Sequence, residues 1–134
     1  MGVVVDWTDD EKKIIRYAFP DRWTWDDLYD AMNQVNEMMA SVPYNVYVVI
    51  SLEHSKGIPP GALTHLRIGT LKAAPNWGGG VFIGVSSFLT ALLNTFTTLN
   101  KKLGERYAIA KTDDEAMAII NKWRERENPT PTLN

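Results

Sequence analysis

The chain has no cysteine among its 134 residues. That excludes disulfides, thiol catalysis and cysteine-ligated metal, and it is compatible with a reducing compartment. There are only two histidines, and fourteen Lys and Arg stand against sixteen Asp and Glu, a net charge of −2. No broad basic field is present to draw nucleic acid or an anionic membrane. No apolar run approaches the roughly 20 residues a membrane span needs. The N-terminus lacks the basic and apolar regions of a signal peptide. Met1-Gly2 begins like a myristoylation site, but Asp6 occupies the place of its Ser or Thr. The cytoplasm is the expected compartment.

What is present is a single domain's worth of sequence, 45% apolar and with five Trp. Val3–Trp7 reads as a short strand. A polar turn from Thr8 to Glu11 leads into a second strand, Lys12–Phe19, as an antiparallel hairpin. Thr24 and Asp27 form a capping box for helix 1, and Trp23 and Leu28 sit at the positions of a hydrophobic staple. Trp25, Leu28, Met32, Val35, Met39 and Val42 then recur at helical spacing, and Pro43 ends the helix. Asn45–Ser51 is a nearly unbroken apolar run, the pattern of a strand covered on both faces.

A breaker-rich turn, Glu53–Gly61, precedes helix 2, expected from Pro60 to Ala73. Gly69 inside that helix costs about 1 kcal/mol relative to Ala and makes it the weakest. Ala74–Gly80 reads as a flexible loop and Val81–Val85 as strand 4. Ser86 or Ser87 caps helix 3, whose stripe is Phe88 or Leu89, then Leu92, Phe96, Leu99 and Leu103. Arg106–Ala110 is strand 5. Thr112 and Glu115 form a second capping box for helix 4, which runs to about Arg126. Residues 128–134 read as a disordered tail after a domain of residues 1–127. The order β-β-α-β-α-β-α-β-α implies an α/β domain: a mostly parallel sheet with one antiparallel edge strand, strands 3 and 4 central.

Candidate chemistry is sparse. Glu53, His54 and His65 follow no ligand spacing of a known metal site. Ser51, Ser55, Ser86 and Ser87 fall near the carboxyl ends of the strands with His54. No glycine-flanked serine elbow exists, and no Asp lies in segment 31–112. Gly78-Gly79-Gly80 precedes a strand, where a phosphate cradle follows one. The expectation is therefore no catalytic set, no metal and no cofactor. A ligand edge at the end of strand 3 is the place for a site: Glu53, His54, Ser55, Lys56, Gly57, Ile58, Pro59, Pro60 and Gly61, with Ser86 and Ser87 beside them.

Strand Tyr47–Ser51, its turn, helix 2 after Gly61, strand 4 and a helix capped at Ser86-Ser87 together resemble the STAS domain family. These are the bacterial anti-sigma factor antagonists, here nearer the SpoIIAA-like branch. The resemblance covers about residues 3–126. It implies a cytoplasmic, non-enzymatic module that binds a protein partner or forms a homodimer. In the antagonists an Asp-Ser-Ser-Gly type turn carries a phospho-acceptor serine. Here the turn reads Ile58-Pro59-Pro60-Gly61, which keeps the glycine and lacks the hydroxyl. Ser55 and Thr64 flank it out of register. The same branch resembles lipid-binding folds, which implies an alternative: a carrier of a small apolar ligand, with Met32, Met39, Leu63 and Phe96 lining a cleft under helix 2.

Overall fold

In the computed structural model, the chain folds into a five-stranded sheet and four described helices. The structure describes residues 2–8, 11–71, 74–99 and 104–127, without the side chains of 63, 66, 69–71, 96 and 99. The strands are β1 (Val4–Trp7), β2 (Ile14–Ala18), β3 (Val46–Ser51), β4 (Trp77–Ile83) and β5 (Tyr107–Ala110). The helices are α1 (Trp25–Ala40), α2 (Ala62–Leu71), α3 (Ser87–Leu99) and α4 (Asp113–Glu127). The expected tail, 128–134, lies outside the described residues.

Spatial order follows chain order, β1-β2-β3-β4-β5. β1 pairs antiparallel with β2, and every later pair is parallel. Crossovers of one hand in a sheet that grows in one direction put their helices on one face. The core agrees. Ala31, Val35 and Met39 of α1 and Leu89 and Leu93 of α3 pack with Ile15, Val46, Val48 and Phe82. The last helix takes the opposite face, where Ala116 and Ile120 meet Ile14, Tyr47, Val49, Val81 and Ile83. Strand β3 is therefore buried on both faces at the centre of the sheet, as its apolar run implies.

Local signals explain most boundaries. The capping box at α1 is complete: Asp27 N–H donates to Thr24 Oγ1 at 3.2 Å, and Thr24 N–H donates to Asp27 Oδ2 at 2.9 Å. At α4 the second box is shifted. Glu115 N–H donates to Thr112 Oγ1, but the Glu115 carboxylate takes the N–H of Lys111 instead of Thr112. Helix α2 begins two residues later than expected, at Ala62, because Gly61 adopts φ +90° and supplies the first helical acceptor to His65 N–H.

The glycine run is a correction. Gly78, Gly79 and Gly80 lie inside β4, not in a flexible loop, and β4 ends at Ile83. They are buried because large groups sit where side chains would be. A Cβ on Gly78 would stand 2.6 Å from the Tyr47 ring, one on Gly79 2.8 Å from the Trp123 ring, and one on Gly80 3.0 Å from Val48. The pairing shifts register between Val46 and Tyr47 at this point. The aromatics of neighbouring elements thus rest directly on the strand backbone.

Candidate functional site

The carboxyl end of β3 feeds a turn that is stitched to the segment entering α1. Ser51 closes the strand, buried between Ala18 and Ile83. Ser55 N–H then donates to Leu52 O at 3.1 Å. The Ser55 hydroxyl is doubly engaged: it accepts from Trp23 Nε1 at 2.8 Å and donates to Gly57 O at 2.7 Å. Lys56 N–H donates to Asp21 O at 3.0 Å, and its ammonium pairs with Asp21 at 3.3 Å. Trp25 Nε1 donates to Pro60 O at 2.7 Å. Two indoles that start α1 thereby fix both limbs of the turn.

Glu53, His54, Lys56, Gly57, Pro60 and Gly61 are exposed, while Ser55, Ile58 and Pro59 are half-buried. The loop before α3 closes on this turn. Gly84, at φ +73°, lies so near that a Cβ there would be 2.6 Å from Glu53 N. Of the two expected caps, Ser86 is the one used: its hydroxyl accepts from Leu89 N–H at 3.2 Å, and Ser87 is the first helical residue. The structure thus brings the 53–61 turn and Ser86-Ser87 onto one edge. It also settles the α3 stripe. Leu89 and Leu93 are buried, and Phe88 is 69% exposed at that edge. Of the expected stripe members, the side chains of Phe96 and Leu99 are not described, and Leu103 lies outside the described residues.

The hydroxyl of Ser55 meets an indole and a carbonyl, not an imidazole, so it has no general base of the serine-histidine kind. Among the described residues no three His, Asp or Glu gather as a metal site. His65 belongs elsewhere. Its ring stacks on Trp25 at 4.4 Å and 13°, and its Nδ1 is 2.6 Å from the Tyr29 hydroxyl oxygen. It joins α2 to α1.

Beneath that joint is a cavity of about 130 Å³. Its floor is the sheet (Tyr17, Val48, Ile50 and Phe82), and one wall is α1 (Trp25, Leu28, Met32, Val35, Asn36 and Met39). Phe19, Trp23, Leu52 and Ile58 close one end, and Ala74, Trp77 and Tyr107 the other. Ala62 and His65 of α2 and Leu89 of α3 complete it. Met32 and Met39 line it as the carrier reading expects, whereas the side chains of Leu63 and Phe96 lie outside the described residues. Trp77 packs against Tyr107 at 5.1 Å. Among the described residues no Lys, Arg, Asp or Glu lines the cavity. Burial pushes the Tyr17 phenol well above its ordinary value, with Tyr107 adding to the shift. A site of this kind admits neutral apolar molecules and repels charge.

The aromatic part of the lining is what sequence reasoning misses. Its signal is Tyr17 and Phe19, two residues apart on β2 and beyond it, which share a sheet face with Val48 and Phe82.

No protein-family model and no curated protein matches this sequence. Among solved structures it is similar to an anti-sigma-factor antagonist (STAS) domain protein from Planctomyces limnophilus. The TM-score is 0.60 at 16% identity, covering 90% of this chain and 98% of that one. The likeness shows the fold: a single α/β domain of STAS type. No described helix is long and apolar enough to cross a membrane.

Proposed function

We propose that the chain is a non-enzymatic, STAS-type recognition module that binds another protein, or a second copy of itself. The contact face is the 53–61 turn, the start of α2 and the Ser86-Ser87 edge. The observation that carries this reading is Phe88, a large apolar side chain 69% exposed, one residue past Ser87. Exposed aromatics of this kind anchor interfaces. The similar protein's description as an anti-sigma-factor antagonist supports a regulatory role. The turn works here without the usual phospho-switch: Pro59 and Pro60 carry no hydroxyl, and that of Ser55 braces Trp23. The module acts in the cytoplasm. Tagged wild-type protein and Phe88→Ser are compared by light scattering and by affinity capture from the source cell. The expected result is a dimer or a captured protein that Phe88→Ser loses. A monomer with no partner, or a partner indifferent to the substitution, overturns it.

The cavity favours a second reading, a carrier of a small apolar ligand. Native mass spectrometry after gentle purification should show a retained small molecule; a clean apoprotein counts against it.

A further inference from the structure

We propose that the cavity between the sheet, α1 and α2 is a binding site for a neutral molecule the size of a single ring, and not for an extended acyl chain. This rests on the apolar-ligand reading and narrows it.

Volume is the first argument. About 130 Å³ is close to the roughly 150 Å³ of an engineered apolar cavity that stays dry and takes up benzene. The walls are the second. At one end Phe19 and Trp23 meet edge to face at 4.7 Å and 63°, and Trp23 and Trp25 at 5.1 Å and 86°. At the other, Tyr107 packs against Trp77 at 5.1 Å and against Phe82 at 5.7 Å. A ring placed between two such sets finds the offset and edge-to-face partners that aromatic groups prefer.

Polarity is the third argument. The indole N–H groups of Trp23 and Trp25 are committed to Ser55 and Pro60, so these residues give ring faces to the guest and not donors. Among the described residues the lining holds no Lys, Arg, Asp or Glu, and its polar side chains are Asn36, His65 and the tyrosines. An ionised head group therefore meets no carboxylate, ammonium or guanidinium there, and burying it is costly. A second cavity of similar volume, under α3, has Asn94 and Thr97 in its wall and, of aromatic residues, only Phe82 and Tyr107 among those described.

The test uses the whole chain with benzene, indole and decanoate as probes, read by thermal melting and by amide NMR shifts. Benzene at about ten times its dissociation constant should raise Tm by about 5 °C, with shifts confined to the cavity residues. Val35→Phe, which places a ring in the cavity, should abolish the benzene effect. Should that variant fail to fold, Leu28→Ala decides: the enlarged site should prefer indole over benzene. Benzene binding unchanged in Val35→Phe, or an unchanged preference in Leu28→Ala, overturns the site. Binding of decanoate without either ring compound overturns the ring-sized class and leaves the apolar-ligand reading standing. Binding of none of the three overturns both.

Discussion

Replacing Ser55 with Ala tests whether this hydroxyl is a structural brace. Trp23 is 8% exposed, and its indole N–H reaches Ser55 Oγ at 2.8 Å. Removing the acceptor leaves a donor with little access to water, at a cost of about 1–3 kcal/mol. The bond from Ser55 to Gly57 O lies at the exposed turn and adds about 0.5 kcal/mol. The expected loss is about 2 kcal/mol, or about 7 °C in Tm for a chain of this length. Urea unfolding should show a lower midpoint with an unchanged slope, since the folded compactness is the same.

A double-mutant cycle isolates the pair. Trp23→Phe keeps a ring in the core and removes the N–H. If the bond is what matters, the double variant should be more stable than the sum of the single losses predicts, by about 1 kcal/mol. Additive losses, or a Ser55→Ala cost below about 0.5 kcal/mol, would refute the brace and return Ser55 to the pool of free turn hydroxyls.

Gly84→Ala should destabilise by at least about 2 kcal/mol in the same assay, because φ +73° strains an L-residue and the new Cβ would stand 2.6 Å from Glu53 N. Gly78→Ala should cost about 1–3 kcal/mol, since the Tyr47 ring in its way is itself 2% exposed; a neutral result would mean β4 tolerates displacement. Tyr17 and Tyr47 are both held protonated, Tyr17 chiefly by burial, and Tyr47 by burial and then by its hydrogen bond to Glu127. The unfolded chain therefore releases these protons first as pH rises. The stability they contribute is fully present below about pH 10 and falls above it, by up to about 1.4 kcal/mol per pH unit for each group. Tyr47→Phe should flatten that alkaline slope in urea midpoints taken across the range.

The elements legible from sequence are those specified by near neighbours. Thr24 and Asp27 are three residues apart and make the expected box. The run Val46–Ser51 needs no partner to announce double burial. Where the deciding neighbour is distant, local reading fails. Three consecutive glycines have turn propensity on their own, and only Tyr47 and Trp123, far along the chain, turn them into a strand with aromatics on its backbone. Phe88 and Leu89 fit the same helical stripe, and the direction in which the sheet meets α3 decides which is buried. For the site, the position of the turn is legible from its prolines and glycines. The cavity is not. Periodicity tells which side chains face inward, and nothing in it tells whether they fill the space they enclose.

That unfilled space separates the two faces of the sheet. Against α4, Ile14, Val81, Ile83, Ala116 and Ile120 are all wholly buried. Against α1 and α2 the residues are larger and more aromatic, yet about 130 Å³ stays open. Walls that face open space instead of packed neighbours forgo dispersion contacts. A molecule of matching shape returns those contacts, so occupancy and stability rise together. The 53–61 turn shares this wall. Trp23 and Trp25 line the cavity and hold Ser55 and Pro60 through their N–H groups, and Ile58 of the same turn closes one end. A guest that shifts either indole therefore moves an acceptor in the turn. Through this geometry the content of the cavity bears on the shape of the 53–61 turn, the contact face proposed above, with no hydroxyl at Pro59 or Pro60 required.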